Sequence, residues 1–144
     1  MKKVLLALFT CLTFNVFAQV HGRIITDHAA VQDMVWSESD QKLMFFGKIE
    51  RHQEFTLIET DLNSDLTGKL RITAMSDRTI YDFMVYDTGF PETDMGDMMR
   101  LECMEVSTGN KCTILIHKLE DRHMVSVMLP SSRLAIFFDN LDEQ

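Results

Sequence analysis

Short apolar or alternating segments, each bounded by polar turn residues, follow one another along most of the chain. Runs of β-branched and aromatic residues with a period of two are typical of strands. The pattern predicts strands at 34–36, 43–46, 55–60, 69–73, 79–86, 99–106, 111–118, 123–129 and 134–138. No sustained helical period follows residue 18, although residues 26–34 (TDHAAVQDM) could form one short helix capped by Thr26 or Asp27.

These segments predict an all-β fold, an antiparallel meander of about eight or nine strands. Such a sheet must bury one face and protect its edges, which favours a small barrel or a two-layer sandwich. Segments 43–46 and 134–138 are apolar on both faces, whereas a half-exposed antiparallel sheet keeps one polar face. The second face is therefore covered by the short helix, by a partner protein or by a ligand inside a barrel.

The first 18 residues have the three parts of a secretory signal. Lys2 and Lys3 form a basic head, residues 4–17 are almost wholly apolar, and Ala18 is the small residue before a cleavage point. This apolar run is shorter than the roughly 20 residues that span a bilayer. We therefore expect a secreted or periplasmic protein with one all-β domain over residues 19–144 and no stable membrane insertion after signal removal.

Acidic residues outnumber basic ones in the predicted mature chain. Without Lys2 and Lys3, 12 of the 14 basic residues remain against 22 acidic ones, which gives a formal net charge of about −10. Nucleic acids and anionic membrane surfaces are bound largely through Lys and Arg. The charge therefore argues against both as partners.

Cys103 and Cys112 remain after Cys11 leaves with the signal. An even number of cysteines in an exported chain predicts one structural disulfide. If the two residues lie opposite each other in a hairpin, residues 106–109 form a four-residue loop in which Gly109 takes a positive φ. Two free, buried thiols are the alternative.

The stretch DLNSDLTG, residues 61–68, begins like a calcium-binding loop, with oxygen-bearing side chains at its first, third and fifth positions. Leu66 occupies the position of the required Gly, and Ile72 that of the bidentate Glu. Asp, Asn and Ser are also the residues that favour turns. We therefore interpret this stretch as a turn between two strands.

A second metal hypothesis rests on methionine. Four methionines are close in sequence and could form a Cu(I) site: Met95, Met98, Met99 and Met104. Two more methionines follow with two histidines nearby: Met124, Met128, His117 and His123. Thioether sulfurs select Cu(I). The competing interpretation is that these side chains fill an irregular core.

Catalytic motifs are absent from the sequence, which has no G-x-S-x-G, no glycine-rich phosphate loop and no H-E-x-x-H. We therefore predict a non-enzymatic binding or protein-interaction module without a cofactor, whose partner is a protein or a small apolar ligand. Cu(I) handling through the methionines is one alternative. A hydrolase that uses a carboxylate pair such as Glu59 and Asp82 is the other.

Overall fold

Eight antiparallel strands form a closed barrel in the computed structural model, which describes residues 20–92, 94, 97–118 and 122–140. The strands are β1 (Val20–Ser37), β2 (Lys42–Leu62), β3 (Gly68–Ala74), β4 (Thr79–Gly89), β5 (Asp97–Glu105), β6 (Lys111–Lys118), β7 (His123–Leu129) and β8 (Leu134–Asp139). A 3-10 turn, Pro130–Ser132, joins β7 to β8. The predicted signal, residues 1–18, lies outside the described residues.

Pairing between the first and last strands closes the barrel. Each strand pairs with the next along the chain, and residues 28–33 of β1 pair with β8. This arrangement confirms the predicted all-β meander and selects the barrel over the sandwich. No helix within the described ranges has the length and apolarity needed to cross a membrane.

The barrel interior is packed with apolar side chains from every strand. Alternate residues point inward along each strand because side chains of a pleated strand project to opposite faces. The buried core cluster consists of Ala29, Ile58, Leu62, Leu70, Ile72, Phe83, Val85, Met99, Leu101, Cys103, Cys112, Ile114, Ile116, Val125, Val127 and Phe138. Eight strands enclose a space that side chains of this size can fill.

The short helix predicted over residues 26–34 is wrong, because this stretch is the middle of β1. It pairs with β2 on one edge and with β8 on the other. Register shifts between Thr26 and His28 and between Val31 and Asp33 interrupt the alternation that would have identified a strand. Pairing on both edges outweighs the weak local preference of Ala29 and its neighbours for a helix.

The strands predicted at 43–46 and 55–60 are parts of one strand, β2. In the stretch between them, residues 50–53 continue the ladder by pairing with residues 28–31 of β1. This merger explains why the barrel has eight strands, the lower of the two numbers predicted.

β1 and β2 also extend beyond the barrel wall. β8 pairs only with residues 28–33 of β1, and β3 pairs only with residues 56–62 of β2. We call residues 34–53 the ribbon. Residues 34–37 and 42–45 form a two-stranded extension with its turn at 38–41, and residues 46–53 continue β2 along the part of β1 that pairs with β8. A 2.8 Å hydrogen bond from Met34 N to Arg133 O marks the point where β1 leaves β8.

Candidate functional site

Most of the large apolar side chains of the ribbon are exposed to solvent. Trp36 is 46% exposed, Phe45 52% and Phe46 62%. The other exposed apolar side chains of the ribbon are Val35, Met44 and Ile49. Singly exposed apolar residues are common on protein surfaces, but a contiguous group marks an interaction site.

Both faces of the ribbon are apolar. Consecutive residues of a strand point to opposite faces, so Phe45 and Phe46 lie on different faces, as do Val35 and Trp36. The Phe45 ring meets Phe137 of β8 edge to face, with centroids 5.7 Å apart and an interplanar angle of 61°. This contact fixes the base of the ribbon on the barrel and leaves the opposite face, with Phe46, uncovered.

The ribbon also has an open backbone edge. Within the described chain, residues 42–53 of β2 have no strand partner on the side away from β1. Gly47 interrupts this edge with a φ of +84°, and Gln32 Nε2 donates a 2.9 Å hydrogen bond to its carbonyl oxygen. An unpaired strand edge is a template for pairing with another extended chain.

A second surface feature is a groove of about 700 Å³ on the outer face of β1–β4. Its floor carries a row of alternating charges, because register places Arg23 opposite Glu59, Glu59 opposite Arg71, and Arg71 opposite Asp82. Arg71 donates two hydrogen bonds to Asp82, at 2.7 Å from Nε to Oδ1 and 3.0 Å from Nη2 to Oδ2. The first two members of the row, Arg23 and Glu59, form no ion pair with any described residue.

The electrostatics of this groove favour a structural role for Asp82. Its hydrogen bond from Arg71 lowers the pKa of the Asp82 carboxyl, and partial burial opposes that shift only in part. Asp82 is therefore ionised and already paired near neutral pH. Glu59 is separated from it by the intervening strand β3, about 10 Å away at the usual strand spacing. A carboxylate hydrolase built on this pair remains only a prediction.

The loop at residues 63–67 is a turn, as predicted. Asn63 N donates to Thr67 O at 2.7 Å, and Leu66 takes a φ of +61°. The Asp65 carboxylate accepts hydrogen bonds from Thr67 Oγ1 at 2.7 Å and Thr67 N at 3.1 Å, and the first of these is the main cause of its lowered pKa. The described residues contain no cluster of three or more His, Cys, Asp or Glu arranged to hold a metal ion.

Cys103 and Cys112 are direct cross-strand partners, in the predicted register. Both are buried in the core, and Gly109 in the connecting loop has the expected positive φ of +72°. The structure holds them as free thiols in contact, and the hydrogen bond to Cys112, together with burial, raises the pKa of the Cys103 thiol. The disulfide therefore stays a prediction, with the geometry of opposed strand residues in its favour.

The methionines that were predicted to bind Cu(I) do not lie together on β5. Met99 is buried inside the barrel, whereas Met98 and Met104 are on its outer face, at opposite ends of β5. Met95 lies outside the described residues. Met98 instead lies opposite His117 of β6, a neighbour that sequence spacing could not reveal because it depends on strand register.

Comparisons with protein-family models, with curated proteins and with solved structures find no match to this chain. Its function therefore has to be inferred from the barrel's own surfaces. Among them, the ribbon combines exposed aromatic side chains, two apolar faces and an open strand edge.

Proposed function

We propose that this chain is an exported, non-enzymatic protein-interaction module that binds its partner through the ribbon. The observation that carries the proposal is the exposure of Trp36, Phe45 and Phe46 on the ribbon. Tryptophan and phenylalanine are enriched at the centres of protein interfaces, where they supply large contact areas. Export depends on the predicted signal at residues 1–18.

A protein fits these features better than a small apolar ligand. The barrel interior is occupied by the side chains of the core cluster, whereas small-ligand sites are concave and bury most of the ligand. The ribbon is an extended projection with apolar residues on both faces. A partner can pack against one or both faces and gain roughly 25 cal/mol for each Å² of apolar surface removed from water.

The open edge of β2 suggests the form of the contact. An extended segment of the partner can add a strand beside residues 42–53, with backbone hydrogen bonds supplying affinity and side-chain packing supplying specificity. Within the described chain, residues 34–37 and 42–45 of the ribbon pair only with each other. An isolated two-stranded ribbon is only marginally stable in water, so a third strand would stabilise this part. We therefore propose strand addition to β2 as the binding mode.

Site-specific photocrosslinking in the native host tests the proposal. A photoreactive phenylalanine analogue replaces Phe46 in the full chain, and a matched protein carries it at Tyr81, which is also exposed but lies on β4. We expect a discrete crosslinked product from position 46, identified by mass spectrometry as one protein, and little from position 81.

Two further variants sharpen this test. Binding of each variant to the partner identified by crosslinking is then measured. Phe46→Ser should weaken the affinity at least about tenfold, as loss of an interface aromatic does, while Tyr81→Ser should leave it unchanged. Equal crosslinking from positions 46 and 81, or none from either, would contradict the proposal.

A further inference from the structure

Three side chains on adjacent strands form a row on the outer face of the barrel. Met98 of β5 lies directly opposite His117 of β6, and His117 lies directly opposite Met124 of β7. The next row along these strands points into the core and consists of Met99, Ile116 and Val125. Met98, His117 and Met124 therefore share the outer face, although they are separated by up to 26 positions in the sequence.

Register places the three side chains within mutual reach. Directly opposed residues of antiparallel strands have Cβ atoms about 4.5–5.5 Å apart. A methionine side chain is long, unbranched and rotates about three bonds. The thioether sulfurs of Met98 and Met124 can therefore approach the imidazole of His117 from its two sides.

His117 is buried, with only 7% of the residue exposed. Among the described residues, neither its Nδ1 nor its Nε2 has a hydrogen-bonding partner, and both atoms are buried. A buried polar group without a partner costs about 1–3 kcal/mol, and nearly all such groups in folded proteins are satisfied. A ring nitrogen that no described residue engages can serve as a metal ligand, and histidine is the commonest such ligand in proteins.

We propose that Met98, His117 and Met124 form a binding site for Cu(I), with two thioether sulfurs and one imidazole nitrogen as ligands. Soft sulfur ligands select Cu(I) over Mg²⁺, Ca²⁺ and Mn²⁺, which prefer oxygen. The three ligands are neutral, and this suits a monovalent ion. The nearest carboxylate in the row is Asp139, opposite Met124, and Arg51 already holds its Oδ2 at 3.1 Å.

This ligand set shares one residue, Met98, with the cluster that the sequence suggested. Met99 points into the core, and Met104 is near the other end of β5. The site is also separate from the ribbon and does not depend on protein interaction there.

An anaerobic titration tests the proposal. The purified protein competes for Cu(I) with a chromogenic Cu(I) chelator. We expect one equivalent to bind, and Met98→Leu and Met124→Leu should each weaken binding at least about tenfold, since even the loss of a residue that supports a ligand costs 10- to 100-fold. Met104 is an exposed methionine on the same strand and the same outer face. Met104→Leu is therefore the matched control and should bind Cu(I) like the wild type.

The buried thiols require a separate control, because cysteine sulfur also binds Cu(I). The double variant Cys103→Ala/Cys112→Ala should retain the one-equivalent site. A second measurement uses the unmodified protein: Ag(I), a redox-inert substitute, should shift the ¹³C-methyl NMR signals of Met98 and Met124 and leave those of Met99 and Met104 in place.

Two results would overturn the proposal. One is that Met98→Leu and Met124→Leu bind Cu(I) as tightly as the wild type. The other is that Ag(I) leaves the methyl signals of Met98 and Met124 unshifted in the wild-type protein.

Discussion

Single residues in the turns carry strict backbone requirements. Gly68, at the start of β3, has a φ of +151°, and a Cβ there would collide with the carbonyl oxygen of Asp61 and lie 3.1 Å from Leu62 Cα. Gly109 also has a positive φ, +72°, but a Cβ at that position meets nothing within 4 Å. Substitutions at these two glycines therefore distinguish the destabilisation caused by a steric clash from that caused by a left-handed backbone conformation alone.

We expect Gly68→Ala to destabilise the fold by at least about 2 kcal/mol, because the backbone must move to relieve the collision. Gly109→Ala should cost only about 1 kcal/mol, the usual penalty for a side chain in the left-handed region. Urea unfolding of both variants and the wild type measures the difference. Equal losses would show that the β2–β3 turn is looser than described.

The Arg71–Asp82 pair makes stability depend on pH. The folded-state pKa of Asp82 is lowered, first by its hydrogen bond from Arg71, so the pair stabilises the fold above the unfolded-state pKa near 4. This contribution disappears as the pH falls through the lower pKa of folded Asp82. Both side chains are partly exposed and therefore screened by solvent, so the contribution to stability is small.

Asp82→Asn should therefore be slightly less stable than the wild type at pH 7, and the difference in unfolding free energy should vanish in acid. Unfolding free energies of both proteins between pH 7 and pH 2 give the comparison, with Asp87→Asn, an unpaired neighbour among the described residues, as the control. A gap that persists or widens in acid would mean that Asp82 does not act through its charge.

The turn at residues 63–67 was predictable at this scale, because Asp, Asn and Gly favour turns through local hydrogen bonds and unusual backbone angles. His117 was not, because its isolation depends on what the fold places around it. A histidine in an alternating strand looks like a solvent-facing residue. Only strand register shows that Met98 and Met124 flank it.

At the scale of elements, the β5–β6 hairpin tests the cysteine prediction. Cys103 and Cys112 face each other in the core, so mild oxidation should join them without displacing either strand. A disulfide that closes so short a loop should add about 2–3 kcal/mol to stability.

Mass spectrometry and thiol labelling of the unfolded protein, purified from an oxidising compartment, should show no free thiol and a mass lower by two hydrogen atoms. Adding a reductant should then lower the unfolding free energy of the wild type and leave Cys103→Ala/Cys112→Ala unaffected. Two labelled thiols in protein from that compartment would contradict the disulfide.

The strands themselves were largely predictable. Segments 111–118 and 123–129 match β6 and β7 residue for residue, because each is rich in apolar and β-branched residues and is bounded by polar turn residues. Residues 47–54 were left between two predicted strands, because this stretch of β2 is largely exposed and shows no apolar alternation. Residues 26–34 were misinterpreted because irregular register in β1 disturbs the period of two.

At the scale of the whole molecule, closure is what the sequence could not decide. A barrel and a sandwich use the same alternating strands, and they differ in whether the first strand meets the last. That contact joins residues 28–33 with β8, from opposite ends of the domain. Residues 34–37 of β1 extend past the pairing with β8, and residues 42–53 of β2 extend past the pairing with β3. This places the ribbon, with its aromatic side chains, beyond the wall.

Amide hydrogen exchange followed by NMR on the monomeric protein tests this account most directly. A closed barrel with an open-edged ribbon predicts strong protection of the paired amides at residues 28–33 and 134–139. It also predicts fast exchange for those amides of residues 42–53 that point away from β1. Rapid exchange throughout residues 28–33 and 134–139, or uniform protection across 42–53, would contradict it.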